Sequence, residues 1–388
     1  MDNAATVFIS TGEPSGDFYG AQLAKCLWEI DPGLSILGIG SDEMRACGVN
    51  LLFDSTLWSA IGLLESICKG KYILPAFWKI RSFLRYNPVS LLVVIDFPSI
   101  NFRLAKLAKQ LNIPVVYYFP PSAWSSTGKV AKRVAEVADE IIVTFSFTEK
   151  IYKEAGVKCR FWGHPIADFD FSKVPSDPAL ESINLSSFSP VIGLFPGSRT
   201  QEIEDIFTVM LKACNIFYRQ FPNSFFLLSL ARPALYSQLK AKLNKNKLPI
   251  VIVKNPYQIM SKANFLLVTS GTITLEATLF ACPMLIIYRL SSFSWWLAHL
   301  VKELPIYCGL PNLIAQREVV PELLQSQANP TNIANFMIKL WETHSWQEEM
   351  KKNLLEIANS IGKKGVSRKI ASTVYQLLRR RTSGMDNQ

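Results

Sequence analysis

The sequence predicts an α/β protein made of two Rossmann-like domains facing across a cleft. Three observations carry that expectation. Short, continuously apolar runs alternate with helical patterns along most of the chain, as in a parallel sheet covered by helices on both faces. The runs fall into two groups, separated by a stretch from Gly163 to Pro190 where proline, serine and aspartate concentrate and periodicity disappears. A chain of 388 residues is too long for one ordinary core and comfortable for two.

Taken in order, strands are expected at residues 7–10, 36–39, 91–95, 115–119 and 141–144, then at 191–195, 225–230, 250–253, 265–268 and 284–288. The expected division is an N-terminal domain at 1–165, a second at 166–345, and a helical segment at 346–388 that carries Lys363, Lys364, Arg368, Lys369 and Arg379 to Arg381. That last segment either packs back on the first domain or contacts a partner. Open sheets of this kind bind ligands beyond the C-terminal ends of their strands, so two facing domains suit two substrates.

Composition removes several function classes. A hydrophobic content of 49% with 19% charged residues describes a globular chain rather than a disordered one. The net charge of +10 invites a nucleic-acid reading, but the basic residues are dispersed and no RNP, zinc or helix-turn-helix signature accompanies them. No nucleic-acid partner is expected; an anionic substrate or membrane surface accounts for the charge equally well. The seven cysteines are scattered without a C-x-x-C spacing and read as reduced, buried and structural. His164, His299 and His344 are too far apart to build a metal cluster, so no metal site and no cofactor are expected. The N-terminus lacks the basic region and cleavage site of a signal peptide, and the greasy region 284–301 is interrupted by Arg289, His299 and several serines, unlike a membrane span.

Chemistry concentrates where apolar strands give way to helices. Pro196-Gly197-Ser198-Arg199 follows the strand at 191–195, and Ser270-Gly271-Thr272 with Glu276 follows the strand at 265–268. Such turns present free N–H groups at a helix N-terminus, and these attract anions. Glycine permits close backbone approach, Ser198, Ser270 and Thr272 add small donors, and Arg199 supplies a fork suited to phosphate. Glu276, about one turn into its helix, suits a ribose diol, whose two hydroxyls a carboxylate can accept. The bland alternative is a pair of ordinary capped turns with an exposed glutamate. Together the two turns point to a nucleoside diphosphate.

The first domain offers a second lip. Gly12-Glu13-Pro14-Ser15-Gly16-Asp17 follows the first strand, which puts Glu13, Ser15, Gly16 and Asp17 at the expected cleft. Asp96 ends the strongly apolar run at 91–95, where a carboxylate is costly unless paired, solvated or used. In the region 57–85, Ile73, Phe77, Ile80 and Leu84 form a helical stripe widened by Leu74 and Trp78, with Arg81 among the interspersed basic residues. That pattern suits a membrane interface or a grip on acyl chains, and it also suits an amphipathic helix covering the sheet. Phe293, Trp295 and Trp296 pose the same question in the second domain.

Taken together, Gly12 to Asp17, Ile95-Asp96-Phe97-Pro98-Ser99-Ile100-Asn101-Phe102, Gly163-His164-Pro165, Pro196 to Arg199, Ser270 to Thr272 with Thr274-Leu275-Glu276, and Leu310-Pro311-Asn312-Leu313-Ile314-Ala315 running into Arg317 to Leu324 resemble the bacterial lipid-A-disaccharide synthases, glycosyltransferases of the GT-B fold. The match runs nearly end to end. It implies transfer of a diacylglucosaminyl unit from UDP-2,3-diacylglucosamine to 2,3-diacylglucosamine 1-phosphate, at the cytoplasmic face of the inner membrane, with peripheral contact to its anionic surface. It further implies Asp96 as general base, Arg199, Ser270, Gly271, Thr272 and Glu276 as UDP contacts with Gly197 and Ser198 beside them, Asn312 and Arg317 in the donor site, and Ser122 on the acceptor side. Family members can associate through their C-terminal parts, which leaves a homodimer open. Two places depart from the family pattern: Ser99 stands where an acidic residue is usual, and Trp124-Ser125-Ser126 replaces a Trp-Ala-Trp-Arg-like stretch. Both bear on the acceptor, so a related transferase with another lipid-linked acceptor, or a non-catalytic paralogue, stands as the alternative.

Overall fold

The computed structural model describes residues 5–55, 70–121, 128–171, 176–289 and 307–382, with side chains of the helix Gly70–Tyr86 described from Phe77 onward. Their contacts divide into two compact units. One holds the chain up to Asp168 together with the chain from Ile361 onward; the other is built from the chain between Phe169 and Ser360.

The first unit is a seven-stranded parallel sheet in the order β3-β2-β1-β4-β5-β6-β7. Its strands are β1 (Thr6–Ser10), β2 (Ser35–Gly40), β3 (Asn50–Asp54), β4 (Leu91–Ile95), β5 (Val115–Tyr118), β6 (Glu140–Val143) and β7 (Arg160–Phe161). Residue alternation sends Phe8, Leu92, Val94, Val115 and Tyr117 into one core layer with Ile80, Leu84, Ile100 and Leu104 from helices. Val7, Ile9, Val93, Ile95, Val116 and Tyr118 enter the opposite layer. This is how a strand buried on both faces comes to read as an unbroken apolar run.

The helix Val366–Thr382 closes that second layer with Val366, Ile370, Ala371, Val374 and Leu378, packed beside the helix Pro14–Ile30. Asp168 accepts from the backbone N–H groups of Gly365, Val366 and Ser367 and so satisfies the start of that helix. Tyr375 donates to Asp31 at 3.0 Å, and Trp162 to Thr373 at 3.2 Å. The expected single segment at 346–388 is therefore two pieces. The helix His344–Ile361 stays with the second unit, where the Met350 sulfur lies 3.4 Å from the Met284 N–H, and only the chain beyond it returns to the first unit.

The second unit is a six-stranded parallel sheet in the order β10-β9-β8-β11-β12-β13. It comprises β8 (Val191–Phe195), β9 (Phe225–Ser229), β10 (Ile250–Val253), β11 (Phe265–Thr269), β12 (Met284–Tyr288) and β13 (Glu322–Leu324). Both units are thus Rossmann-like. The ten expected strands are all present, joined by β3, β7 and β13. Among the described residues six cysteines are free, of which Cys214 and Cys282 are buried while Cys26, Cys47, Cys159 and Cys308 are only half-buried, a correction to the expectation of uniform burial. Among the described residues no helix is long and apolar enough to cross a membrane.

Candidate active site

Each sheet changes winding direction once. In the first unit β1 lies beside β4, with Ser10 opposite Val94; in the second β8 lies beside β11, with Phe195 opposite Val268. The turns after these strands are the four motifs singled out in the sequence, so each pair shares one topological switch point, the place where open parallel sheets bind ligands.

In the first unit the turn after β4 is unusual in its backbone. Asp96 and Phe97 both lie in the left-handed region, with φ of 49° and 48°. Two such residues in succession without glycine are strained and are held only by a well-determined surrounding. Asn101 provides that hold: buried, it donates from Nδ2 to the carbonyls of Ile95 at 3.0 Å, Asp96 at 2.7 Å and Ser10 at 3.2 Å, and accepts from the Ser10 hydroxyl at 2.6 Å. The left-handed turn lays the Phe97 ring over Gly12, where an added Cβ would stand 2.2 Å from ring carbons. Gly16 serves a similar close approach, since its Cβ would stand 3.3 Å from the Thr11 Cβ. Burial and then the charge of Glu13 raise the Asp96 carboxyl to about 6, against an opposing contribution from the Phe97 backbone N–H. A carboxylate in that range, at a switch point, can take up a proton near neutral pH.

In the second unit Gly197 has φ 110° and sits so close to Glu202 that a Cβ would stand 2.1 Å from the carboxylate. Glu202 Oε2 accepts from the N–H of Ser198 at 2.8 Å and of Arg199 at 3.1 Å. Those N–H groups, expected to be open to phosphate, are already satisfied by a capping carboxylate three residues into the helix. The Arg199 guanidinium is half exposed and 3.8 Å from the same carboxylate. After β11 the Ser270 hydroxyl donates to the Cys308 carbonyl at 2.6 Å, and Gly271, with φ 155°, is exposed with open space where a Cβ would stand. Thr272 precedes the helix Ile273–Leu279, and Glu276 lies within it, half-buried. Burial raises the Glu276 carboxyl to about 7, and a hydrogen bond from Tyr257 works in the opposite direction.

Several expected site residues have other duties. Asp17 is buried, and its two oxygens accept from the N–H of Ser41 at 2.6 Å and of Glu43 at 2.9 Å. It holds the short helix Asp42–Ala46 rather than facing a substrate, because leaving those N–H groups unmet would cost more than any solvent contact returns. Asn312 is fully buried: its oxygen accepts from Val319 and Val320 N–H, and its Nδ2 donates to the Val320 carbonyl and Glu322. Its amide is saturated within the 310–324 block, so the expected donor contact gives way to a structural clasp. Glu322 extends the clasp to the N–H groups of Cys308 and Gly309. Arg317 is exposed and donates to Asn353 at 2.9 Å. Glu13 immediately precedes the helix Pro14–Ile30, and Ser15 lies half-buried in its first turn.

The expected membrane stripe also changes character. Ile80 and Leu84 are core residues, and Phe77 packs against them, because their spacing closes onto the sheet. Trp78 remains 58% exposed with the Arg81 guanidinium 5.0 Å from its ring centre. The Leu74 side chain, Ser122, the stretch Trp124 to Ser126 and the aromatics Phe293, Trp295 and Trp296 lie outside the described residues.

The family model described as lipid-A-disaccharide synthetase matches residues 7–374. The chain belongs to the lipid-A-disaccharide synthase family. Curated lipid-A-disaccharide synthases share its length as well: that of Nitrosococcus oceani is 34% identical over 380 residues, covering 97% of this chain and 98% of its own. That of Geobacter metallireducens is 33% identical over 374 residues, covering 96% and 97%. Among solved structures, a UDP co-structure of S. aureus MnaA superposes with a TM-score of 0.66 at 13% identity, covering 97% of each chain. The UDP-GlcNAc 2-epimerase of Neisseria meningitidis bound to UDP-GlcNAc gives 0.65 at 13% identity, covering 96% of this chain and all of that one. At such identity these two establish the fold, which is that of the GT-B enzymes. As a lipid-A-disaccharide synthase family member the chain is a glycosyltransferase.

Within that frame the sequence left some working residues unmarked. Asn101 stood inside a quoted motif without a role, although a buried asparagine five residues past a strand-end carboxylate is a signal for a backbone clamp. Glu202 was legible as the third residue of a capping pattern after Arg199. Tyr257 carried no signal, since it lies on the preceding helix, Pro256–Lys262, and acts on Glu276 only through the fold.

Proposed function

We propose that this chain transfers the diacylglucosaminyl unit of UDP-2,3-diacylglucosamine to the 6-hydroxyl of 2,3-diacylglucosamine 1-phosphate with inversion, giving the β-1,6-linked disaccharide 1-phosphate and UDP, and that Asp96 is the general base. The observation that carries the role of Asp96 is its carboxyl at about 6, held in a strained turn at a switch point. It accepts the hydroxyl proton as that oxygen attacks the anomeric carbon, while the bond from that carbon to the UDP oxygen breaks and its electrons leave with the diphosphate. Arg199 and the N–H groups of Ser198 and Arg199 take the leaving-group charge, so no metal or cofactor enters this reading. Glu202 yields those N–H groups when the diphosphate arrives, since two anions cannot share them. Gly197 and Gly271 keep the backbone close to the nucleotide, Ser270 and Thr272 flank it, and Glu276 accepts the ribose hydroxyls.

Membrane contact belongs to the same proposal. Both substrates are amphiphiles, and exposed Trp78 with Arg81, on a chain of net charge +10, fits peripheral attachment to the anionic cytoplasmic face of the inner membrane. Association as a homodimer through C-terminal parts is the arrangement for which sedimentation is the check, and a monomer at every concentration removes it.

The test is mass-spectrometric detection of the disaccharide 1-phosphate after mixing the protein with both substrates. Wild type is expected to form it and Asp96→Asn to lose about a hundredfold to ten-thousandfold in turnover while binding UDP nearly as before. UDP binding without product from wild type would point to a different acceptor, and equal loss of turnover and UDP affinity in the variant would remove Asp96 as base.

A further inference from the structure

Three helices that cover one face of the first sheet contain no acidic residue. They are Gly70–Tyr86, Pro98–Gln110 and Lys129–Ala135, and they send Ile80, Leu104 and Val134 into the same core layer. Their charged side chains are thereby left on the outer side, where Lys79, Arg85, Arg103, Lys129 and Lys132 stand exposed. Between the last two of these helices lies a cavity of about 540 Å³. Phe102, Lys106 and Lys109 form one wall, since steps of four and three residues put them on one side of the helix Pro98–Gln110. Arg133, Glu136 and the buried Val137 line the cavity from the helix Lys129–Ala135 and the residues after it. The Arg133 guanidinium lies over the Phe102 ring, 5.2 Å from its centre. Among the described residues no carboxylate, Glu136 included, forms an ion pair with Lys106, Lys109 or Arg133.

Gathering cations around one cavity is unfavourable unless something answers their charge. Three cations against one carboxylate leave the lining with a net charge of +2, and Lys106 and Lys109 are three residues apart on one helix, a spacing at which like charges repel. Helix ends account for part of the arrangement, because Lys109 and Arg133 lie in the last turns of their helices, where a cation complements the helix dipole. They do not account for Lys106, almost a turn earlier, or for an Arg133 guanidinium laid on an aromatic ring instead of on the carbonyls that end its helix. A guanidinium stacked in this way leaves its fork of N–H donors available to an oxygen anion. Phe102 and Val137 add apolar surface to the cationic lining. That combination fits a phosphate attached to a carbon skeleton.

We propose that this cavity binds the phosphate of an anionic phospholipid and so holds the first unit on a bilayer. The inference rests on the membrane reading above, to which it adds a site and a ligand class. A lipid is the favoured source because the cations are not confined to the cavity. They continue across all three helices, and Gly70–Tyr86, which packs against Pro98–Gln110, leaves Trp78 58% and Tyr86 81% exposed. Large aromatics of this kind settle at the headgroup level of a membrane. A soluble phosphate compound would use the cavity alone, whereas a bilayer meets the whole face. The helix Pro98–Gln110 also carries Asn101, so a lipid held at Phe102 and Lys106 sits on the element that clamps the Asp96 turn.

Cosedimentation of the full chain with vesicles of phosphatidylcholine containing phosphatidylglycerol, against vesicles of phosphatidylcholine alone, tests this at about 0.15 M and about 0.5 M salt. Two variants with the same change in charge are compared. Lys106→Gln/Lys109→Gln/Arg133→Gln removes the cations of the cavity, and Arg103→Gln/Lys129→Gln/Lys132→Gln removes three from the surface beside it. Each cation near an anionic leaflet contributes about fivefold to partitioning, so both variants are expected to bind about a hundredfold more weakly at the lower salt. At the higher salt the surface variant should approach wild type while the cavity variant stays about tenfold weaker, because charges in contact are screened less than separated ones. Arg133→Lys, which keeps the charge and loses the fork, should be several-fold weaker than wild type at both salts. Equal losses in the two triple variants at both salts would make the cavity part of a diffuse positive face and overturn the site. Calorimetric binding of glycerol 1-phosphate that the cavity variant loses, with vesicle binding untouched in that variant, would overturn the lipid as ligand. Failure of wild type to prefer the anionic vesicles would instead overturn the membrane reading on which the site rests.

Discussion

At Asp96 the chain holds a strained backbone and a carboxyl raised to about 6, and both have a thermodynamic signature separate from catalysis. A carboxylic acid whose folded-state value lies above its unfolded value of about 3.9 favours the folded state fully only below that unfolded value, and the contribution is lost as pH rises through about 6. At neutral pH Asp96 therefore destabilises the fold, by up to about 3 kcal/mol. Asparagine imitates the protonated form, so Asp96→Asn is expected to unfold at a higher temperature than wild type at pH 7, and the gap should close as the pH approaches 4. Thermal melts of both proteins from pH 4 to 8 check it; a gap independent of pH would mean that the carboxyl is not buried in its charged form. Asp96 was legible in the sequence because a carboxylate directly after five apolar residues has no cheap structural reason to be there. Asp17 and Asn312 misled for the complementary reason: nothing local distinguishes a polar side chain facing substrate from one satisfying backbone N–H groups that arrive from residues 41–43 or 319–320.

At the scale of elements, the expected strands that the structure reproduces include the central ones of each sheet, and the three not foreseen, β3, β7 and β13, are all at sheet edges. A strand between two neighbours in a parallel sheet must be apolar on both faces, which leaves an unmistakable run; an edge strand is short and half exposed, so Asn50–Asp54, Arg160–Phe161 and Glu322–Leu324 carry no such run. The stripe in Gly70–Tyr86 had two readings because the same spacing serves a membrane surface and a sheet cover, and only the burial of Ile80 and Leu84 decides between them. The helix Val366–Thr382 depends on a cap that lies almost two hundred residues earlier. Because Asp168 accepts from three successive N–H groups at its start, Asp168→Ala is expected to cost about 1–2 kcal/mol. Urea unfolding followed by circular dichroism reads that loss as a lower midpoint at unchanged slope, and a midpoint equal to that of wild type would mean that water satisfies the helix start equally well.

For the whole molecule, the decisive feature is that the chain leaves the first unit at Asp168 and comes back to it at Ile361. The returning helix is not an ornament on a finished domain. Val366, Ile370, Ala371, Val374 and Leu378 are each almost wholly buried, in the same layer as Val7, Ile9, Val93 and Ile95 from the centre of the sheet. Burying side chains of this kind contributes on the order of 1.5–3 kcal/mol for each large one, so the helix as a whole supplies an amount comparable to the net stability of a domain. The first unit should therefore be unable to fold from its N-terminal part alone, whereas the second unit, built from the chain between Phe169 and Ser360, has its own sheet and helices. A fragment ending at Asp168 is expected to be insoluble or to lack a cooperative melting transition, and supplying residues 361–388 as a separate peptide should restore one. A fragment from Phe169 to Ser360 should fold by itself and retain UDP binding through Arg199 and Glu276. A cooperative transition in the N-terminal fragment without the peptide would show that the returning helix covers a core already complete, and the family's two-unit design would then owe its connectivity to something other than stability.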